Sequence, residues 1–502
     1  MDQDTFREQA HRAIEQIISY HSKLKTNELS VLPAVQPDYL RSLIPVSPPE
    51  KGQNPSEIQD DVESKIIPGL THWQHPHFMA FFPANFSFPG LLGDMYSTAF
   101  TCAAFNWLCS PAVTELETIV MDWVAEMIGL DEAFRSTHSD GTTGTGGGVI
   151  QGSASEAVLT VMVAARERYL NSLVPEGADE DERWEIRGAA YGKLCVVISS
   201  EAHSCTEKAA MVLGIRVVKV AVDPDTLAIS PLALKEKVKE LKAKGWHPFF
   251  TTNTYGTTST CAVDPFEEIE EALAEFPEVW KHVDAAYAGS FLVLPEFKPD
   301  AQKWKGYDSF DFNMHKALLV PFDCSCLFIR ERKWLINALS LTPSYLRNPA
   351  SESGRVIDYR DWQLPLGRRF RSLKIWFVVR TYGVEGLQRH MRRTLECGEY
   401  FSSLVRDRPD LFVVTVQERF GLTVIRVKPE EGGDVALGDR LTKEVARRVN
   451  EERNFFVTAA VSKGREIIRV VSGSENATKE SMKVLFEDLV AKVGEVRKEI
   501  TA

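Results

Sequence analysis

LCVVISS, residues 194–200, sets Val196, Val197 and Ile198 side by side with no polar alternation. A strand covered on both faces has this pattern, which is the habit of parallel sheets. Outward from it, apolar segments recur at RVVKVAV (216–222), PFFTTNTYG (248–256), VWKHVDAAYA (279–288) and SCLFIRER (325–332). Helical patterns fall between the earlier ones, over about 205–213 and 231–244. Strand–helix alternation of this kind predicts a mostly parallel sheet covered by helices, an α/β fold.

Towards the N-terminus, TELETIVMDWVAEMIGL (114–130) is amphipathic, with Thr114 and Glu117 spaced as a capping box. SDGTTGTGGGVIQGSASEA (139–157) follows as a glycine-rich loop running into a helix over 156–169. Residues 5–24 carry helical periodicity in Phe6, Ala10, Ala13, Ile14, Ile17 and Ile18, and the proline-rich 32–55 is extended. A long amphipathic helix followed by a strap suggests an oligomer arm; packing on its own subunit is the alternative. Residues 341–365 are polar and irregular, a candidate lid. A long helical stretch then runs to about 405, and beyond it short strands (412–416, 422–427, 467–471) alternate with helices. The expected division is an N-terminal arm over 1–90, a large domain over 91–385 and a small α+β domain over 386–502.

The 502 residues carry a formal charge of -12, which argues against nucleic acid or an anionic membrane as partner. The opening MDQDTFREQA lacks the basic and apolar regions of a signal peptide, and no stretch offers roughly 18 uninterrupted apolar residues. Eight cysteines without a C-x-x-C pair read as reduced thiols rather than a disulfide framework or a metal site. The expectation is a cytoplasmic protein without a metal.

Three features carry chemistry. Gly146, Gly147 and Gly148 precede a helix start at which Ser153 and Glu156 form a capping box, and free N–H groups at such a start bind phosphate. Asp284 closes an apolar strand, where ligand crevices lie in open α/β sheets. Lys316, beside His315 in SFDFNMHKALLVP, sits in an apolar setting that disfavours its charged form and frees its amine to attack an aldehyde. Each has a bland alternative: a flexible turn, a helix cap, a snorkelling lysine. Together they are the parts pyridoxal 5'-phosphate needs.

The motifs HPHFMAFFPAN, SPAVTELETIVMDW, GGGVIQGSASEA, EAHSCTEKAA, HVDAAYAGSF, FNMHKALLVPFDCS and DYRDWQLPLGRRFRSLKIWFV occur in one order over about 76–383. In them the chain resembles the aromatic-L-amino-acid decarboxylases, tryptophan decarboxylases included, of the group II pyridoxal-phosphate-dependent decarboxylases. Met314 stands where that family usually has proline, and 137–145 and 176–187 exceed its shorter members. The resemblance implies fold type I, with a mostly parallel seven-stranded sheet, and a homodimer with shared active sites. It implies that Lys316 bonds the cofactor's aldehyde carbon, Asp284 pairs with the ring nitrogen and His203 stacks on the ring. Ala154, Ser155, Asn313 and His315 match phosphate-binding positions, and Thr258 and Ala286 match positions touching the cofactor. Tyr345 matches a loop tyrosine that protonates the substrate's α-carbon. Trp73, Phe81, Phe82, Pro83 and Phe105 match the wall of the substrate pocket.

The implied activity is decarboxylation of an aromatic L-amino acid to its amine. Relatives with Phe at the loop position or Asn at the stacking position tend towards aldehyde synthesis; Tyr345 and His203 favour the amine. Gly367 matches a position where a small residue admits an indole, and Ala103 is small beside Phe105, which tilts the expectation to tryptophan. 5-Hydroxytryptophan, tyrosine, DOPA and phenylalanine remain open, as do an aldehyde synthase, a decarboxylase of a non-aromatic amino acid and a non-catalytic scaffold.

Overall fold

The computed structural model describes residues 1–341, 349–352, 356–430 and 432–501. It divides into two compact units, one contiguous over 85–392 and one made of 1–84 with 393–502.

The contiguous unit is built on seven strands: β1 (Gly147–Gln151), β2 (Leu194–Ser199), β3 (Arg216–Val220), β4 (His247–Thr254), β5 (Trp280–Asp284), β6 (Ser309–Asn313) and β7 (Ser325–Ile329). Their order is β1-β7-β6-β5-β4-β2-β3. Only β7 runs against the rest, pairing antiparallel with both β1 and β6. The sheet is the mostly parallel seven-stranded one expected. Every residue of β2 is buried, as its unbroken apolar run requires. At the sheet edge β3 instead exposes Arg216 and Lys219, charges that discourage pairing with another chain.

The Ala154–Ser172 helix covers this sheet, its Val158, Val161, Met162 and Ala165 joining Val196, Phe250, Trp280 and Leu327 in one core cluster. Burying each Val, Met, Leu or Phe of this cluster contributes about 1.5–3 kcal/mol.

Three local expectations are corrected. The helix expected from Thr114 spans Pro111–Met127 and is entered from Ser110. Proline suits the first helical position, so Pro111 starts the helix and Thr114 lies buried inside it. The triple glycine does not form a phosphate loop, because Gly147 and Gly148 open β1. A Cβ on Gly148 would lie 2.6 Å from Met121 Cε and 2.7 Å from Phe328 Cε1, and one on Gly146 would lie 2.0 Å from the Ala133 carbonyl oxygen. The glycines let the chain's own neighbours approach. The third concerns the capping box: Ser153 Oγ accepts from Glu156 N–H at 3.3 Å, yet the Glu156 carboxylate accepts from Gly152 N–H at 2.7 Å rather than from Ser153.

In the other unit, β8 (Phe412–Val414), β9 (Leu422–Val427), β10 (Thr458–Ser462) and β11 (Arg465–Val471) form an antiparallel sheet ordered β10-β11-β9-β8. The N-terminal segment is tied to it by backbone: Val31 N–H donates to Arg453 O, Met79 N–H to Phe456 O and Val471 N–H to Met79 O. The helix over Gln3–Lys25 exposes Phe6, Ile14 and Ile18. No helix among the described residues is long and apolar enough to cross a membrane.

Candidate active site

The expected reactive residues of the contiguous unit gather at one edge of the sheet. β5 ends at Asp284 and β6 at Asn313, and a single helical turn, Met314–Ala317, carries His315 and Lys316. β2 ends just before the loop that holds His203, and β1 leads to Ala154 and Ser155 at a helix start. Thr258 lies in the turn after β4. Parallel strands thus deliver these residues to their carboxyl ends, the ligand-binding side of such sheets.

Lys316 is partly buried, and its ammonium is pushed down from the usual lysine range by desolvation, against the opposing pull of Asp284 and Asp311. Asn85 N–H donates to the Lys316 carbonyl at 3.2 Å and His390 Nε2 lies 2.9 Å from that of Ala317, fixing the turn that presents the amine. Asp284 is buried, and one of its oxygens accepts from Ala286 N–H at 3.0 Å. Ala286 in turn accepts from Asn313 N–H at 3.1 Å, which locks the ends of β5 and β6 together.

His315 is buried, stacked on Phe322 with ring centroids 3.8 Å apart. Its Nδ1 accepts from Cys324 N–H at 2.8 Å, so its proton sits on Nε2. Burial, with Lys316 and Lys374 nearby, lowers its pKa to about 3, so the ring is a neutral donor. His203 caps the Ser204–Val212 helix, with Nδ1 accepting from Cys205 N–H at 3.2 Å, and its side chain is exposed. Thr258, Ala103 and Ser155 are exposed as well.

Gly367 has open space where a Cβ would be. Its neighbour Arg368 donates from its backbone to Ala103 O at 3.1 Å, and Arg360 N–H donates to Phe105 O at 3.0 Å. These bonds stitch the 103–105 loop to the 360–368 segment. Beneath them the Arg368 guanidinium is buried against Glu117 at 2.6 Å, and Glu117 also accepts from Ile150 N–H at 2.9 Å. This anchor, which sequence reasoning missed, ties Gly367 to β1.

Trp73, Phe81, Phe82 and Pro83 belong to the other unit. There Trp73 stacks on Phe78 and Phe81 at 4.5 and 5.9 Å, and Arg469 lies 5.3 Å over the Phe82 ring. Tyr345 lies outside the described residues.

The donor set fits a phosphorylated pyridine aldehyde. The desolvated amine of Lys316 lies on the sheet edge of Asp284, and neutral His315 offers an N–H. The Asn313 amide oxygen is buried with no hydrogen-bond partner among the described residues, a polar atom awaiting a ligand. Sequence reasoning missed two further residues of this edge, His282 and Asp311. The alternation in HVD and SFDFN places them on the Asp284 face and was the available signal.

Comparison with known proteins agrees. A profile of the pyridoxal-dependent decarboxylase conserved domain matches residues 37–428. Tryptophan decarboxylase 2 of Oryza sativa subsp. japonica is 40% identical over 94% of this chain and 91% of its own. Phenylacetaldehyde synthase of Arabidopsis thaliana is 39% identical over 97% of this chain and 96% of its own. A crystal structure of Oryza sativa TDC with PLP and tryptamine superposes with a TM-score of 0.92 at 34% identity, covering 99% of both chains.

Proposed function

Since the chain belongs to the pyridoxal-dependent decarboxylase family, we propose that it removes the α-carboxylate of an aromatic L-amino acid, tryptophan foremost, and releases the arylalkylamine. The observation that carries this reading is Lys316, an amine with depressed basicity on the same sheet edge as Asp284. Lys316 and Asp284 would hold the cofactor's aldehyde carbon and ring nitrogen. Ala154, Ser155, Asn313 and His315 would hold its phosphate, and Thr258 and Ala286 would touch it. When bound, pyridoxal 5'-phosphate supplies the electron sink for the pair left on Cα as carbon dioxide departs.

The chain's own residues do the rest. Neutral His315 donates from Nε2 without adding a charge beside Lys316. His203, held by its bond to Cys205 N–H, presents its ring at the mouth of the edge. Positioning decides which bond to Cα breaks. Tyr345 returns the proton to Cα. Gly367 leaves space for a bicyclic side chain, and the name and ligand of the rice relatives point the same way.

The enzyme acts as a homodimer in the cytoplasm, its sites completed by the second subunit. Two features support the dimer: the exposed apolar Leu92, Met95, Tyr96 and Phe100 on the Phe88–Phe100 helix, and the exposure of His203 and Thr258 in the single chain.

The reading is tested by adding pyridoxal phosphate to purified protein and assaying a panel of aromatic amino acids. A band at about 420 nm, from the bond between the Lys316 amine and the cofactor aldehyde, and tryptamine from tryptophan are expected. Lys316→Ala abolishes both; amine production that survives this change overturns the assignment. The second reading, an aldehyde synthase, is favoured by the Arabidopsis relative. Tyr345→Phe separates the two: product shifts from amine towards aldehyde, ammonia and peroxide if Tyr345 is the proton donor. Unchanged amine with no peroxide refutes that role.

A further inference from the structure

β5 and β6 are parallel and in register, with His282 opposite Ser309 and Asp284 opposite Asp311. Paired residues on adjacent strands share a face, and strands lie about 4.8 Å apart. Asp311 therefore stands immediately beside Asp284, on the face that carries the site. Two carboxylates so placed repel each other, and neither Asp311 nor His282 has any exposed surface (0% for each). Such a pair survives where another group repays its cost.

The hydrogen bonds show how Asp311 is held. One oxygen lies 3.1 Å from His282 Nε2, and His282 Nδ1 lies 2.8 Å from Ser309 Oγ. Ser309 Oγ also accepts from Trp280 Nε1–H at 2.8 Å. This chain reaches from the helix-packed core to the site edge and fixes the carboxyl rigidly. The other oxygen, Oδ2, is buried with no hydrogen-bond partner among the described residues. Buried carboxylate oxygens are rarely left so, and this one stands beside Asp284 within the field of Lys316, on the edge where the cofactor's ring would lie.

The charged groups around it are few. Lys316 and Asp284 both act on Asp311, and burial raises its pKa to about 6. The buried thiols of Cys205 and Cys326 also lie within its field, and desolvation pushes both up, so they stay uncharged.

We infer that Asp311, held by His282, is a positioning residue that works with Asp284 to keep the cofactor's ring nitrogen protonated. This rests on the proposed function, in which Asp284 faces that nitrogen. Asp284 makes the direct contact, while Asp311 supplies a second negative potential from the neighbouring strand, through a low-dielectric interior. A more firmly protonated ring is a better electron sink, and the cofactor is bound more tightly as a cation.

The test compares two cofactors: pyridoxal phosphate and its deaza analogue, in which C–H replaces the ring nitrogen and no proton can be taken up. Dissociation constants are measured by fluorescence for wild type, Asp284→Asn, Asp311→Asn and His282→Leu. Asp311→Asn is expected to weaken pyridoxal phosphate about tenfold, as loss of one charge-assisted interaction does, and to leave the analogue unchanged. If Asp311→Asn does not fold, His282→Leu, which has no donor to tether the carboxyl, makes the same comparison. Equal weakening of both cofactors, or of neither, overturns the inference and leaves Asp311 a register pin between β5 and β6. Should Asp284→Asn itself fail to separate the cofactors, the pairing of Asp284 with the ring nitrogen falls, and the role of Asp311 with it.

Discussion

Glu117 and Arg368 illustrate how much one buried pair can govern. Both side chains are almost wholly inside, and each satisfies backbone groups of β1 as well as the other: Glu117 takes Ile150 N–H, and Arg368 reaches Ile150 O at 3.4 Å. Removing one partner leaves the other charge buried, which costs about 3–5 kcal/mol. Arg368→Met should lower the melting temperature and, because Gly367 is adjacent, raise KM for tryptophan more than it lowers kcat; steady-state assays beside thermal melts check both. His75 gives a pH prediction. Its Nδ1 accepts from His77 N–H and its Nε2 faces Leu29 O, and burial lowers its pKa to about 4. Above about pH 6.5 the imidazole is neutral in both states and costs nothing. As pH falls from there towards 4, the unfolded chain gains a proton the folded one refuses, so stability is lost. His75→Gln should be less stable at pH 7.5 yet show a shallower decline between pH 7 and 5; a parallel decline assigns the acid sensitivity elsewhere.

Helix starts and strand edges separate what pattern reveals from what only tertiary packing decides. Ser153 bonds Glu156 N–H, whereas Ser110 makes no capping bond with its side chain. Ser153→Ala should therefore cost about 1 kcal/mol and Ser110→Ala almost nothing, a difference that urea unfolding resolves. The Ser153–Glu156 spacing and the buried run of β2 were legible because each depends on neighbours a few residues away. β1 was not, because glycine is disfavoured inside strands and Gly147 and Gly148 are tolerated there only by the close approach of Met121 and Phe328. β6 escaped for a related reason. Its polar Ser309, Asp311 and Asn313 interrupt the apolar run that marked the other buried strands, yet in the folded unit all three are buried. The motif carrying Lys316 stood out at once, while His282 and Asp311 needed the pairing of β5 with β6 to acquire meaning.

The contiguous unit exposes Leu92, Met95, Tyr96 and Phe100 along one helix, with Leu108, Ile119 and Trp123 also uncovered. Leu92→Glu combined with Phe100→Glu should convert a dimer to monomers in sedimentation velocity and reduce decarboxylation at least tenfold if the second subunit completes each site. Full activity in a monomer would remove the dimer from the mechanism. The other unit is assembled from the two ends of the chain, with Val31 and Met79 bonded to Arg453 and Phe456. This has a consequence for biosynthesis. Residues 85–392 leave the ribosome as an uninterrupted block and can acquire their sheet while translation continues. Residues 1–84 emerge before that block but must wait until after it, since the strands they join are made later. Throughout that interval Phe78, Met79 and Ala80, all buried in the finished protein, are bare, and chaperones that bind nascent apolar segments should be found on this stretch until β11 is released.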